Sequence, residues 1–302
     1  MAISSPENRQ SPMRWLVVAV PYLWLALFFA APFLIILKIS LSDTAIAMPP
    51  YVPVFDGFAR IGEFFSELDF ENYIFLTEDP LYIEAYLSSL RIAAISTALL
   101  LLIGYPMALA MARAPSTIRA TLVMLVVLPF WTSFLIRVYA WIGILKPEGL
   151  LTVLFQTIGI LGPDQQVDIF RTDTSVFIGM VYSYLPFMVL PLYAALEKLD
   201  GTLLEAAADL GCPPWKAFWK ITFPLSLPGV IAGSMICFIP ITGEFVIPDL
   251  LGGAQTLMIG KTLWTEFFGN RDWPLASAVA VLLLLVLVVP IAIFQNQQKK
   301  VV

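Results

Sequence analysis

Histidine is absent from this 302-residue chain, and cysteine and charged residues are scarce. Without histidine the chain lacks the commonest metal ligand and the commonest general acid or base. Its two cysteines, Cys212 and Cys237, are too few for a disulfide framework and form no thiolate cluster in the sequence. Charged residues make up 13 % of the chain, against about 25 % in a typical soluble domain. We therefore predict no metal site and no catalytic residues, and the composition argues against a soluble domain.

Long apolar runs take the place of the missing charge, since 59 % of the residues are hydrophobic. A bilayer core about 30 Å thick needs roughly 20 apolar residues in a helix. Six stretches meet this requirement: residues 15–37, 88–112, 120–145, 176–196, 225–247 and 275–294. The first is longer than the apolar region of a signal peptide and precedes no cleavage motif. The pattern predicts an all-α integral membrane protein with six transmembrane helices.

The positions of lysine and arginine predict the orientation of these spans. Alternate short segments hold Arg9, Arg14, Arg113, Arg119, Lys198, Lys216, Lys220, Lys299 and Lys300. Basic residues close to span ends favour the cytoplasmic side of the membrane. We therefore expect both termini and the segment 197–224 to be cytoplasmic.

Three regions are expected along the chain. Residues 1–87 would hold the cytoplasmic N-terminus, the first span and a long periplasmic loop, 38–87, whose prolines and aromatics favour an ordered cap. Residues 88–295 would form a five-helix core with a cytoplasmic loop at 201–224. Residues 296–302 would form a cytoplasmic tail. Inside the fifth span, Gly229 and Gly233 form a small-xxx-small pattern, which favours close helix packing.

The stretch from Glu205 to Pro224, EAAADLGCPPWKAFWKITFP, places charges in a chain that is otherwise mostly membrane-spanning. Thr202 and Glu205 fit a capping box at the start of a short helix. Gly211 suits a left-handed helix stop, and Pro213 or Pro214 suits the first turn of a second helix. On local chemistry alone, the hairpin fits an interfacial anchor as well as it fits a docking element.

This stretch resembles the EAA loop of permease subunits of ABC importers. The matching positions are Glu205, Ala206, Ala207, Gly211, Ile221 and Pro224, while Phe223 stands where the family has leucine. In that family the loop is a coupling helix that docks into the ATP-hydrolysing subunit. By the resemblance, Glu205, Ala206, Ala207, Asp209 and Gly211 carry the coupling role. Two small alanines would permit a close fit, and a glutamate can form charge-assisted hydrogen bonds.

The resemblance extends from about residue 15 to 295, through stretches such as LPFWTSFLIRVYAWIGIL and GEFVIPDLLGG. These are similar to the permeases of bacterial putrescine and spermidine importers, and the putrescine member of the group is the more similar. The resemblance implies a type I importer permease with a MetI-like core in the inner membrane. It also implies a second permease, two copies of an ABC ATPase that bind ATP and magnesium, and a periplasmic polyamine-binding protein. The chain itself would bind no cofactor and would not be an enzyme.

Gly260-Lys261-Thr262 looks like the end of a phosphate-binding loop. That motif requires a glycine at position 255, which is glutamine here, and Gly253 lies two residues too early. We therefore expect ATP to bind to a partner subunit and not to this chain.

Three charged residues, Arg91, Arg137 and Glu244, fall within the predicted spans, where charge is costly and usually functional. In one interpretation Glu244 pairs with Arg91 or Arg137 and fixes the bundle. In the other, Glu244 faces the translocation path and attracts a substrate ammonium, and something else neutralises Arg137. Aromatic faces bind cations, so further path candidates are Trp131, Tyr139, Tyr182 and Tyr184, although aromatics in spans more often pack.

Two alternative functions remain open from the residues alone. A gradient-driven secondary transporter or channel for small cations would explain the charges and the prolines, but not the spacing of the EAA loop. An intramembrane enzyme would need a cluster of acid–base or metal-binding groups within the spans, and the sequence offers one clear carboxylate.

Overall fold

The computed structural model describes residues 12–54 and 66–301, and most of these residues are helical. The only strands in this part of the chain are β1 (Asp43–Thr44) and β2 (Tyr51–Val52), which pair antiparallel. The all-α prediction is confirmed.

Fourteen α-helical segments are described, several of which continue directly into one another. The N-terminal ones are α1 (Pro12–Leu25), α2 (Ala31–Ile39) and α3 (Glu71–Glu78). The central ones are α4 (Pro80–Arg113), α5 (Ser116–Val127), α6 (Phe134–Leu145), α7 (Leu150–Thr157), α8 (Asp173–Glu197), α9 (Thr202–Asp209) and α10 (Pro214–Ala217). The last are α11 (Phe223–Thr242), α12 (Val246–Leu251), α13 (Ile259–Trp264) and α14 (Trp273–Val301).

Four of the predicted spans correspond to helices that are long and apolar enough to cross a bilayer: Val17–Ile39, Pro80–Arg113, Asp173–Glu197 and Pro214–Thr242. The third predicted span is not one straight helix. Its halves, Ser116–Trp131 and Phe134–Leu145, meet at an angle of 87° and make a fifth span only if they are taken together. The sixth predicted span, residues 275–294, lies within the single helix α14, which runs from Trp273 to Val301.

Two spans have different limits from those that hydropathy predicts. Helix α4 begins at Pro80 and not at residue 88, because the Asp79 side chain accepts a hydrogen bond from the Leu81 amide at 2.9 Å and Pro80 takes the first helical position. The expected boundary between residues 87 and 88 therefore lies inside a continuous helix. Helix α11 ends at Thr242, five residues before the predicted limit at 247.

The chain divides into two compact units. The first contains the described residues up to Leu76 together with Glu266–Leu282. In it, the Asn72 amide donates to the carbonyls of Ser40 and Ser42 at 3.2 and 2.8 Å, and the hydroxyls of Tyr73 and Ser40 lie 2.6 Å apart. These bonds order the described part of the loop that follows the first span; residues 55–65 of that loop lie outside the described residues.

The second unit contains Thr77–Thr265 and the chain from Leu283 onward, and its core is formed by α4, α8 and α11. Each of these helices contacts the other two. Met188 of α8 is fully buried at their centre, between a glycine of α4 and a glycine of α11. A Cβ added to Gly104 would lie 3.0 Å from Met188 Cγ, and one added to Gly233 would lie 3.0 Å from its Sδ.

The small-xxx-small pattern in α11 lies at this helix crossing, as the sequence predicts. A Cβ on Gly229 would lie 2.5 Å from the Ala195 Cβ and 3.0 Å from the Pro191 carbonyl oxygen of α8. Contacts this short have no room for a methyl group, so both glycines allow the two backbones to approach closely.

We predict that Gly229→Ala destabilises the protein by about 1–3 kcal/mol, because the new methyl group overpacks the contact with α8. Gly143→Ala is the matched control, since a Cβ there meets nothing within 4 Å and alanine favours a helix over glycine by up to about 1 kcal/mol. Thermal unfolding of the detergent-solubilised chain measures both variants. Equal stability of the two would show that the close approach is not required.

Candidate functional site

The EAA stretch folds into a helical hairpin formed by α9, α10 and the turn between them. Gly211 has a φ of +72°, which is the left-handed stop that the sequence predicts. The Gly211 amide donates to the Ala208 carbonyl and the Cys212 amide to the Ala207 carbonyl, both at 2.9 Å. These two bonds make a Schellman motif, which ends α9 sharply and turns the chain into α10.

The second half of the hairpin starts where the prolines predict. Pro213 is extended and Pro214 takes the first position of α10. A π-helical turn, Phe218–Thr222, then joins α10 to α11, so the hairpin runs directly into a core helix. On the outside of the hairpin, Leu210 is 88 % exposed, and Trp215 and Trp219 are more than half exposed.

The predicted capping box is wrong. The N-cap of α9 is Gly201, which makes no side-chain cap, and Thr202 is the first helical residue. The Asp200 carboxylate accepts the Thr202 amide instead, at 3.0 Å, and this hydrogen bond lowers the pKa of Asp200. The Asp200 carboxylate, just before the helix, thus accepts a backbone amide at the helix start, which was the role expected of Thr202 and Glu205.

Because Glu205 is not needed to cap the helix, its exposed carboxylate is available to a partner. Ala206, Asp209 and Gly211 are exposed beside it. Ala207 differs from the others, since it is only 8 % exposed and packs inside the hairpin. Four of the five predicted coupling residues therefore lie on the surface, and Ala207 supports that surface from beneath.

A cavity of about 550 Å³ lies between the bent α5–α6 pair, α8 and α11. Its lining residues are Phe130, Thr132, Phe134, Arg137, Ser183, Tyr184, Phe187, Ile236, Pro240 and Glu244. The bend itself supplies several of them, because Thr132 and Ser133 leave the helical conformation and turn the chain by 87°. The cavity combines one carboxylate, one guanidinium and several aromatic rings.

Glu244 lies in the break between α11 and α12, and not within a continuous helix. The Tyr184 hydroxyl donates to its Oε2 at 2.7 Å. Its Oε1 accepts from the amides of Phe245 and Val246 at 3.1 and 3.0 Å, at the start of α12. These bonds hold the carboxylate at the cavity wall, and Oε2 has a further lone pair for another donor.

Arg137 reaches the same cavity with a different set of contacts. Its guanidinium carbon lies 5.4 Å from the centre of the Phe130 ring and 5.8 Å from that of Phe134, within the range of cation–π interaction. Its buried Nε and Nη1 atoms have no hydrogen-bond acceptor among the described residues. The buried Ser183 hydroxyl also has no hydrogen-bond partner among them. Arg137 thus presents a positive charge to the cavity without an acidic partner in this part of the chain.

The structure corrects the proposed pairing of Glu244 with an arginine. Arg91 forms an ion pair with Asp173 at 2.8 Å, and Asp173 also accepts from the Thr256 hydroxyl at 2.8 Å. Glu244 forms no ion pair among the described residues, although Arg137 lines the same cavity. An ion pair therefore accounts for the charge of Arg91 within a predicted span, whereas the charge of Arg137 has no such partner among the described residues.

Of the four predicted aromatic path residues, Tyr184 alone lines this cavity. Trp131 is 74 % exposed and Tyr139 is 58 % exposed, and neither is a lining residue. Tyr182 faces a separate, apolar cavity of about 480 Å³ and meets the edge of Trp141. The rings missed by sequence reasoning are Phe130, Phe134 and Phe187. Pro129 before the bend is the signal that could have indicated the first two.

The Gly260-Lys261-Thr262 stretch forms the start of α13, and Lys261 pairs with Asp249 of α12 at 3.3 Å. The lysine of a phosphate-binding loop must reach a phosphate, and this one is already engaged by a carboxylate. That ATP binds to a partner subunit and not to this chain stays a prediction.

Sequence comparisons connect this geometry to known proteins. A family model described as the binding-protein-dependent transport system inner membrane component matches residues 101–301. The spermidine/putrescine transport system permease protein PotB of Haemophilus influenzae is 38 % identical over 285 residues, covering 94 % of this chain and 93 % of that protein. PotB of Escherichia coli K12 is 42 % identical over 217 residues, covering 72 % of this chain and 78 % of that protein.

Solved structures share the fold at low sequence identity. A chain of the bacterial alginate ABC transporter, in complex with an alginate pentasaccharide-bound periplasmic protein, has a TM-score of 0.68 at 16 % identity, covering 96 % of this chain and 94 % of that one. A chain of the inward-facing MetNI methionine ABC transporter has a TM-score of 0.54 at 16 % identity, covering 74 % of this chain and 96 % of that one.

These matches confirm the fold class and the resemblance that the EAA loop indicates. The relatives carry the names of both spermidine and putrescine, so a preference between the two stays a prediction. This multi-pass inner-membrane protein belongs to the family of permease components of binding-protein-dependent ABC importers.

Proposed function

We propose that this permease moves polyamines across the inner membrane by alternating access, with putrescine as a substrate and spermidine as a further one. The cavity carries the proposal. A protonated amine needs a carboxylate and aromatic faces, and Glu244, Tyr184 and Phe187 supply both on one wall. The relatives named as spermidine/putrescine permeases support the same substrate class.

The energy would come from a partner. Two copies of an ABC ATPase would bind ATP and magnesium. The hairpin of this chain would dock into one of these copies through its exposed residues Glu205, Ala206, Asp209 and Gly211. A second, similar permease would complete the path, and a periplasmic binding protein would deliver the substrate. In this assembly the permease performs no covalent chemistry.

The orientation follows from the basic residues. Both termini and the hairpin would face the cytoplasm, and Glu244 would lie towards the periplasmic side. The first span, Val17–Ile39, has none of its apolar window buried within the chain. It would face lipid or the second permease, and residues 296–302 would form the cytoplasmic tail.

We expect Glu205→Ala to uncouple transport, because it removes the exposed carboxylate through which the hairpin would bind the ATPase. Gly211→Ala should also reduce coupling, since a side chain at a φ of +72° strains the turn that shapes the docking face. The measurement is ATP-dependent uptake of radiolabelled putrescine into proteoliposomes that hold the complete transporter, with ATPase co-purification scored in parallel.

Two matched controls separate docking from general damage. Gly201→Ala alters a glycine of ordinary helical conformation in the same loop, where a Cβ meets nothing within 4 Å. Glu148→Ala removes an exposed carboxylate from the opposite, outer side of the predicted topology. Both controls should keep uptake. Uptake that continues without ATP, or that ignores both hairpin variants, would instead favour a gradient-driven carrier and make the hairpin an interfacial anchor.

Glu244→Gln should reduce polyamine uptake by about tenfold or more, because the ammonium loses its charged acceptor. The amide oxygen of glutamine can still accept the hydrogen bonds at the start of α12, so the complex should assemble. Uptake rates at saturating binding protein, compared with the yield of assembled complex, test this expectation. Normal uptake by an assembled Glu244→Gln transporter would remove the residue from the path.

A further inference from the structure

The charge balance of the cavity carries an inference that rests on the proposed function and deepens it. Arg137 and Glu244 are the only charged residues among the lining residues described for this cavity. Their formal charges cancel, so the cavity is neutral before a substrate enters. One ammonium beside Glu244 already leaves a net positive charge within this small space.

Arg137 is held where it opposes further positive charge. Phe130 and Phe134 lie within cation–π distance of its guanidinium, and no described acidic residue forms an ion pair with it. An arginine side chain does not lose its proton in proteins, so this charge is permanent. An incoming ammonium must therefore compete with a resident cation for the same two rings.

The remaining wall offers an ammonium a different place. Tyr184 and Phe187 lie on α8, with ring centres 6.0 Å apart, and the Tyr184 hydroxyl is bonded to Glu244. This part of the cavity has the carboxylate and two aromatic rings, of which Phe187 also packs against Phe130 with ring centres 5.0 Å apart, whereas the α6 side has the guanidinium. The two walls thus treat a cation in opposite ways: one binds it and the other repels it.

We propose that Arg137 is a specificity-determining residue that restricts the cavity to one ammonium group at a time. A polyamine then passes end first, with its leading ammonium at Glu244 and Tyr184 and the rest of its charge outside the cavity. Spermidine carries three ammonium groups where putrescine carries two, and one of its two spacers has three carbons where the spacer of putrescine has four. When spermidine enters by its three-carbon end, a second charge therefore lies closer to Arg137, and in either orientation the triamine brings more positive charge to the cavity. The permease therefore favours the diamine over the triamine, in addition to any selection by the binding protein.

The test compares variants of Arg137 in the complete transporter in proteoliposomes, with the same binding protein saturated by putrescine or by spermidine. Arg137→Gln removes the charge, and Arg137→Lys keeps it. We expect the ratio of spermidine to putrescine uptake rates to rise about tenfold in Arg137→Gln, the order of effect of one nearby charge at a partly solvated site. In Arg137→Lys, which keeps a positive charge at this position, the ratio should stay within about twofold of the original protein.

An unchanged ratio in an assembled, active Arg137→Gln transporter would overturn the inference. An equal rise in Arg137→Lys would also overturn it, because shape and not charge would then set the preference. Either result would leave the proposed function in place as long as Glu244→Gln still lowers uptake. Failure of the original transporter to move any polyamine would refute the proposed function itself.

A second measurement uses the unaltered protein and does not depend on the folding of any variant. Spermidine acetylated on one terminal amine keeps the carbon–nitrogen backbone of spermidine but has one charge fewer. When each compound is loaded to saturation on the binding protein, the acetylated form should be taken up faster than spermidine. Slower or equal uptake of the acetylated form would contradict a limit set by charge.

Discussion

The close approach of α8 to its two neighbours is the contact on which the rest of the core depends. Met188 fills the space between Gly104 of α4 and Gly233 of α11, and no side chain larger than hydrogen fits at either glycine without displacing it. Helices in a bilayer gain little from burying apolar surface, because the lipid is equally apolar, so shape complementarity supplies the association. Tyr184 lies one turn before Met188 on α8, so the same fit positions its hydroxyl for the hydrogen bond to Glu244.

The cavity shows how a membrane bundle tolerates irregular backbone. The bend after Pro129 and the break at Gly243 to Phe245 both interrupt helices next to the same space. Interruptions of this kind persist in membranes where they line a cavity or are covered by protein. The backbone amides released at the second break are satisfied by Glu244, so one carboxylate stabilises the interruption and also gives the cavity its negative charge.

Sequence reasoning succeeded where one residue type has one backbone consequence, as with Gly211, Pro214 and the glycine pair of α11. It failed where neighbours compete for a role, since Asp200 and not Thr202 bonds the start of α9. The span predicted from hydropathy also continued past the break at Gly243, because apolar residues extend beyond it to Ile247. The partners of Arg137 and Glu244 could not be predicted, since an 87° bend decides which side chains meet.

One helix joins the two places where the chain would act. The hairpin enters α11 through the π-helical turn Phe218–Thr222, and Glu244 follows two residues after α11 ends. A helix of 20 residues is about 30 Å long, so a tilt of about 5° at its base would displace its far end by roughly 2.6 Å. A displacement of that size exceeds the tolerance of the Tyr184–Glu244 hydrogen bond. A small rotation of the hairpin would therefore be transmitted along this helix and would change how Glu244 and Tyr184 bind a cation at its opposite end.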